Sequence, residues 1–235
     1  WSVGAAWLLS KEKWFDVEWV NELKLKSSIG QMGNDNIGSY RYTDLYDIVN
    51  SGGNLGTSFA AKGTEDITWE KNTNFNVGAE FTLFKRLSGS IEYYRRKTTD
   101  MLFSFSVAPS LGYSSYYDNV GDMTNSGVEF EMNYNVINKK NINWDVYFNI
   151  STVHNNIDMI HADKKVASIY DFGGKEYKGY NSGSFFISED ISMFTWRLRK
   201  YAGVDKATGE SLWYIRKEVP VLDDNENPVL DADGK

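Results

Sequence analysis

The stretch Trp69–Phe84, WEKNTNFNVGAEFTLF, decides the fold. Trp69, Phe75, Val77, Ala79, Phe81 and Leu83 hold odd positions, whereas Glu70, Asn72, Asn74, Asn76 and Glu80 hold even ones. A period of two is the mark of a β-strand, because successive side chains leave the pleat on opposite sides. One strand thus carries two faces that want different solvents. The pattern continues outward in both directions. Val3, Ala5, Trp7 and Leu9 share a face near the start, and Leu23, Leu25 and Ile29 oppose Lys24, Lys26 and Ser28. Leu87, Ile91 and Tyr93 oppose Ser88, Ser90 and Glu92, and Val128, Phe130, Met132, Tyr134 and Val136 oppose Glu129, Glu131, Asn133 and Asn135. Trp144, Val146, Phe148 and Ile150 oppose Asp145, Asn149 and Ser151. Six strands and almost no helix are predicted.

Composition agrees. Aromatic residues make up 15% of the chain and there are 3 Pro, which favours strands. A length of 235 residues allows one large β domain or two ordinary ones. The net charge of −7 argues against nucleic acid as a partner, since phosphate binding needs clustered Lys and Arg. With no Cys there is neither a disulfide framework nor a thiolate metal site, and the compartment stays open. No window of roughly 18 apolar residues exists, so a membrane-spanning helix is excluded. Trp1 begins in mid-strand with no leader ahead of it, and Asp231–Lys235 reads as loop, so an internal piece of a longer protein is expected.

Connections alternate in length. Phe84–Arg86 is a tight turn that pairs Leu83 with Leu87, and Ile137–Asn141 is similarly short. Residues 34–66, 104–124 and 156–185 form long connections rich in Gly, Asn, Ser and Tyr, and a further turn at Lys206–Glu210 joins strands that end near Val204 and resume at Ser211. Such a meander places short turns at one end and long loops at the other.

Alternation leaves open which face is wet. A lipocalin-like barrel or a sandwich puts the apolar face inside, and an outer-membrane barrel puts it toward lipid. Three features favour lipid. The strands run past the usual soluble length of about 5–6 residues. The short-turn, long-loop asymmetry is the transmembrane-barrel habit. Trp69, Tyr93, Tyr134 and Trp144 fit interfacial aromatic girdles. The even face needs water, because each buried, unpaired carboxylate costs several kcal/mol, roughly.

Within this frame SVGAAWLLSKEKW (Ser2–Trp14), LKLKSSIGQMGN (Leu23–Asn34), Asp66–Phe103, NVGDMTNSGVEFEM (Asn119–Met132) and YAGVDKATGESLWY (Tyr201–Tyr214) resemble successive barrel segments of SusC/RagA-type TonB-dependent outer-membrane transporters. The resemblance covers almost the whole chain in family order. Asn72 stands where the Trp-Glu-x-Thr motif has Thr, and Met32 where Gly-Gln-Thr-Gly-Asn has Thr. The implied fold is all-β, an antiparallel up-and-down transmembrane β-barrel, of which this chain supplies about seven or eight of roughly 22 strands. The implied function is TonB-dependent import of oligosaccharides or peptides across the outer membrane of a Gram-negative bacterium. Implied partners are a SusD-like lipoprotein lid and TonB, acting through a plug outside this stretch, and a dimer of transporter–lid pairs is compatible. A siderophore or vitamin receptor of the wider class and a soluble glycan-binding β-sandwich are the alternatives.

Candidate residues follow. Glu70, Asn72, Asn74, Asn76, Glu80, Glu129, Glu131 and Asn133 would line the lumen. Glu129 and Glu131 read as a solvated wall rather than as a catalytic carboxylate pair. Tyr40, Tyr42, Tyr46, Tyr113, Tyr116 and Tyr117 lie in the long loops, where their rings either stack on cargo, meet a lid or pack among themselves. The register Leu83 to Leu87 brings Lys71, Arg95 and Lys97 together on the apolar side, where charge costs about 2–4 kcal/mol per Lys or Arg at mid-bilayer and little near the interface. That cluster marks a lipid boundary, with lipopolysaccharide phosphates as the expected contact. His154 and His161 read as ordinary polar positions. Asp223, Asn225 and Asn227 match the first three ligand places of a calcium loop, but Pro228 and Gly234 replace its turn Gly and final Glu, so no cofactor is expected. No phosphate loop or nucleophile elbow occurs, and no enzymatic activity is expected.

Overall fold

Alternating sequences with strong β-formers pair side by side, and the computed structural model describes this for residues 1–171 and 173–214. In chain order the strands are β1 (Ser2–Leu8), β2 (Val20–Asn34), β3 (Leu45–Ser51), β4 (Asn54–Ala61), β5 (Glu70–Leu83), β6 (Leu87–Thr99), β7 (Leu102–Ser106) and β8 (Ser115–Asn119). They continue as β9 (Gly121–Lys139), β10 (Ile142–Ser151), β11 (His154–Ile160), β12 (Ala167–Tyr170), β13 (Glu176–Ser182), β14 (Phe185–Ser188), β15 (Tyr201–Val204) and β16 (Ser211–Trp213). Three single-turn 3₁₀ segments are the helical content of the described residues.

All six predicted strands fall in one antiparallel sheet of order β1-β2-β5-β6-β9-β10, with β11 also on β9. Its long members reach 15, 14, 13 and 19 residues. The inferred register holds: Leu83 faces Leu87, Phe75 faces Arg95 and Lys71 faces Thr99. β10 and β11 run as one interrupted strand along β9. At the break the Thr152 hydroxyl accepts a hydrogen bond from the Val128 amide at 3.0 Å, taking the place of a ladder carbonyl.

Every row of the sheet keeps the faces apart. On the odd side Val3, Ile29, Phe75 and Arg95 form one row, Trp7, Leu25, Ala79, Ile91, Phe130 and Ile150 another, and Leu23, Phe81, Gly89, Met132 and Phe148 a third. Among the described residues no second sheet covers this face: Val77 is 42% exposed and Phe148 49%. A sandwich would have buried them. From Phe75 to Leu83 the band spans nine residues of β5 before Thr73 and Lys71 end it, close to the roughly 9–11 tilted residues that cross a bilayer. Phe81 lies over Gly89, where a Cβ would come within 2.9 Å of the ring.

The short connections lie at one end of the sheet. Aromatic rings collect there: Trp7 packs edge-on against Trp14, Trp19 stacks on Phe84 with centroids 5.6 Å apart, and Tyr134 and Trp144 sit nearby in register. Tyr93 departs from the expected girdle. It faces Val77 and Val128 in mid-sheet. The β9–β10 connection is also tighter than the five residues expected, because Lys139 already pairs with Ile142, and a bulge at Trp144/Asp145 absorbs the difference.

The larger correction concerns the long connections, which hold their own small sheets. β3 pairs β4, β7 pairs β8, and β12, β13 and β14 form a three-stranded sheet. Together with the end of β11 they make a crown whose buried cluster is Met101, Val120, Ile157, Ile160, Tyr180 and Ile187, backed by Phe103, Phe105, Met123, Phe185 and Met193. Residues 196–214 fall in a separate unit, in which β15 and β16 pair around the predicted Lys206–Glu210 turn. The calcium-loop residues Asp223, Asn225 and Asn227 lie outside the described residues.

The tight turn is strained. Phe84 and Lys85 both have positive φ, 53° and 56°, which costs a residue with a Cβ about 1–2 kcal/mol. The Trp19 stack and the hydrogen bonds from the Phe84 amide to the Trp19 carbonyl and from the Lys85 amide to Asn21 Oδ1 hold it in place. Replacing Trp19 by Ala is expected to speed hydrogen exchange at Phe84–Arg86 about tenfold, as the ring pair contributes about 0.5–1.5 kcal/mol. Adding Lys85→Gly is expected to slow it again. An unchanged turn in W19A means that the stack does not hold it.

Candidate functional site

The even face of the sheet is a lattice of polar groups that satisfy one another. Lys24 reaches Glu80 at 3.1 Å, Lys26 reaches Glu80 at 3.2 Å and Glu92 at 2.7 Å, and all four side chains are roughly one-third exposed. Cross-strand pairing explains the contact: Lys24 lies opposite Glu80, and Lys26 lies opposite Gly78, whose missing side chain opens the way to Glu92 on the next strand. Above this ladder Arg96 Nε donates to Asn74 Oδ1 at 2.8 Å, Asn76 donates to Ser28, and Asn155 donates to Asn125 Oδ1. Tyr94 leans over Gly127 and gives its hydroxyl to the Thr152 carbonyl at 3.3 Å. Half-exposed ion pairs of this kind contribute up to about 1 kcal/mol each, so their larger effect is to fix side-chain positions.

The expected wall residues divide into three groups. Asn74, Asn76 and Glu80 stand on this lattice. Glu129 and Glu131 share its face, opposite Glu92 and Ser90, and form no ion pair among the described residues. Asn133, opposite Ser88, has a buried Oδ1 with no partner among the described residues. Glu70 and Asn72 sit instead at the foot of the crown. Glu70 accepts from Asn34, Asn72 and the Leu102 amide, and the buried Thr98 hydroxyl donates to Asn72 at 2.7 Å. Beside them Met123 packs into the crown cluster, so this end of the polar face is covered.

The loop tyrosines separate as well. Tyr113 contacts Phe59 and Tyr116, Tyr116 stacks on Phe105, and the Arg41 guanidinium lies 5.1 Å over Tyr117. These three are packed among the loops. Tyr46 is edge-on to Phe59, and Tyr40 and Tyr42 remain exposed. On the apolar side Lys71, Arg95 and Lys97 fall in the expected register, but Lys71 is bound to Asp100 at 2.9 Å and Lys97 lies 3.7 Å from Asp122. Arg95 makes no ion pair among the described residues.

Sequence reasoning missed two anchors. Asn119 donates to the carbonyls of Thr68 and Asp100 and accepts from the Thr68 amide, tying three connections together. Lys164 is 7% exposed, bonded to Asp118 at 2.6 Å, Asp163 at 2.9 Å and the Tyr116 hydroxyl at 3.1 Å, and 4.6 Å from the Phe105 ring centre. Burial pulls its ammonium toward the neutral form, but the hydrogen bonds to Asp118, Asp163 and Tyr116 outweigh burial and hold its pKa above the ordinary lysine value. Lys164 in turn holds the Asp163 carboxyl below the ordinary range. A lysine in a run of charged residues reads as surface, so only its neighbours in space could have flagged it. Among the described residues no three His, Asp or Glu side chains converge as a metal site would require.

Comparisons with known proteins fit this geometry. The family model described as TonB dependent receptor-like, beta-barrel matches residues 1–214. The chain is 30% identical over 212 residues to the TonB-dependent receptor SusC of Bacteroides thetaiotaomicron, covering 81% of this chain and 21% of SusC. It is 28% identical over 200 residues to TonB-dependent receptor P26 of Formosa agariphila, covering 83% of this chain and 20% of that relative. Its fold matches the RagAB peptide importer in the closed-closed state with a TM-score of 0.77 at 27% identity, covering 99% of this chain and 25% of that chain. It thus spans about a fifth of the curated relatives it matches.

Removing the Lys164 charge while leaving the partly exposed Asp118 and Asp163 is expected to loosen the crown by about 1.5–3 kcal/mol, the scale of a lost hydrogen bond to a charged group. Limited proteolysis should then cut β7–β8 in K164M, and D118N/K164M should recover part of the protection. Because the Asp163 pKa is depressed on folding, its contribution is present above the ordinary Asp value and lost as pH falls through the folded value. The lysine, raised on folding, contributes below its ordinary value and loses that contribution only as pH rises above it. Protection of the hairpin should therefore be level from about pH 5 to 9 and fall below about pH 4.

Proposed function

Because this chain belongs to the TonB-dependent receptor-like β-barrel family, we propose that it forms part of the wall of an outer-membrane importer that takes up oligosaccharides or peptides under a SusD-like lipoprotein lid. In this reading the odd face meets lipid, the even face lines the passage, and the crown lies outside the cell, where the exposed Tyr40 and Tyr42 are available to cargo or lid. Energy enters through TonB acting on a plug outside this stretch, and the proposal includes neither a chemical step nor a bound cofactor.

One observation carries the reading. A band nine residues deep exposes its aromatic and aliphatic side chains, while the opposite face of the same strands is occupied by paired Lys, Glu and Asn. Water on both sides would leave the first uncovered, and apolar cover on both sides would strand the charges of the second. The cargo alternatives follow from relatives: RagAB is described as a peptide importer, and SusC is a TonB-dependent receptor of the same family. Of the basic cluster, Arg95 is the residue left for lipopolysaccharide phosphates, since Lys71 and Lys97 already face carboxylates.

Placing Arg at Ile91 in mid-band should cost about 2–4 kcal/mol in a bilayer and sharply reduce the amount of assembled receptor in outer-membrane fractions, whereas Arg at exposed Ile48 on β3 should be tolerated. Uptake of labelled oligosaccharides and peptides by cells with and without TonB tests the import itself. Equal uptake in both overturns it.

A further inference from the structure

Arg96 and Glu129, with Asn74, Asn76 and Asn125, line a recess of about 450 Å³ on the even face of the sheet. Glu92 also lines it and is held by Lys26, whereas Arg96 and Glu129 form no ion pair among the described residues. Lys24 and Lys26 on the same face are consumed by Glu80 and Glu92, but Arg96 forms no ion pair among the described residues. Its guanidinium is held by one hydrogen bond, from Nε to Asn74, which leaves the terminal nitrogens to donate. Glu129 lies directly across from Glu92, whose charge is answered by Lys26, while its own is not.

The asparagines beside these charges have each used one group and kept the other. Asn74 has spent its oxygen on Arg96 and retains its NH₂, Asn76 has spent its NH₂ on Ser28 and retains its oxygen, and Asn125 has spent its oxygen on Asn155 and retains its NH₂. Two amide donors therefore flank Arg96, where a carboxylate has oxygens to accept from them, and one acceptor lies a row nearer Glu129, where a main-chain amide can donate to it. Arg96 pairs with Asn125, and Glu129 lies four residues further along β9, so the two charged residues are roughly 13 Å apart along the strand. An extended chain of about five residues has its ends that far apart.

We propose that this recess is a subsite for a short extended peptide with free ends, in which Arg96, flanked in its own row by the Asn74 and Asn125 amides, takes the carboxylate, Glu129 takes the ammonium and Asn76, one row nearer Glu129, takes the main chain between them. The proposal rests on the reading that the even face lines the import passage, and it adds selection of zwitterionic over neutral cargo. A neutral sugar covering the site would strip water from a guanidinium and a carboxylate and replace it with weaker partners. Tyr94, the one aromatic ring among the described lining residues, has its hydroxyl end committed to Thr152.

The test uses the complete receptor with its lid in detergent and four probes: one pentapeptide with free ends, its N-acetylated form, its C-amidated form, and maltopentaose. Wild-type receptor is expected to bind the free-ended peptide tightest. R96Q should weaken the free-ended and acetylated peptides about tenfold, the scale of a lost hydrogen bond to a charged group, and leave the amide unaffected. E129Q should weaken the free-ended and amidated peptides and spare the acetylated one. R96K, which keeps the charge, should recover most of the loss and guards against misreading a folding defect. Equal losses for all probes, no loss for any, or tighter binding of maltopentaose overturns the subsite. Uptake of the labelled pentapeptide with and without TonB separates the two readings: TonB-dependent uptake with unimpaired R96Q sinks the subsite alone, whereas TonB-independent uptake sinks the import reading and leaves binding to decide the subsite.

Discussion

Across β2, β5 and β6 the strands of the main sheet hold one antiparallel register, and a slip of a single residue there would send Phe75, Val77 and Phe81 to the side of Lys24, Lys26 and Glu92. Both faces resist that slip. On one side ten or more large apolar groups would be moved into a charged environment, and on the other Glu80 would lose both lysines. The ladder also satisfies the backbone of the long strands, which matters most where a strand passes through a medium that offers no hydrogen bonds. Strand length, face identity and the site on the even face all depend on this pairing.

What could be read from the sequence follows the same logic. The six wall strands and the Leu83–Leu87 register were legible because long alternating runs with a three-residue link leave little freedom. The crown was not. β3 and β4 are short and alternate weakly, which hid them although the Gly52–Gly53 link between Ser51 and Asn54 is a local hairpin signal, whereas the packing of that hairpin through Phe59 on Tyr113 joins segments far apart in the chain. Tyr93 looked like an end residue because it closes the apolar run of β6, although the inferred pairing of Lys71 with Thr99 already carried the strand beyond it. Arg96 was overlooked although continuing the even positions Glu92 and Tyr94 by one step places it on the polar face. Lys164 was beyond reach, since burial of an ammonium is decided by Asp118 and Tyr116, more than forty residues earlier.

The two halves of the structure manage charge differently. Along the sheet, pairs such as Lys26 and Glu92 remain in contact with solvent and serve mainly to orient one another. In the crown, one ammonium is removed from water and must be matched in full, by two carboxylates, a hydroxyl and two ring faces. That difference separates a wall along which polar molecules could move from a buttress that must keep its shape. The crown is tied to the sheet through Ile157, which exchanges backbone hydrogen bonds with Asp190 and Ile191, and through Asn155, which accepts from Ser192 and Met193.

The uneven spacing of connections also bears on how such a sheet is assembled. β5 and β6 are joined by three residues, whereas β2 reaches β5 only after the whole β3–β4 excursion. Closing the longer link costs about 2 kcal/mol more chain entropy. Neighbouring strands across a tight link can therefore zip as independent ribbons, and the seams between ribbons must wait for the excursions to condense. The seams β2–β5 and β6–β9 are then the last parts of the wall to seal and the first at which a half-built sheet would part.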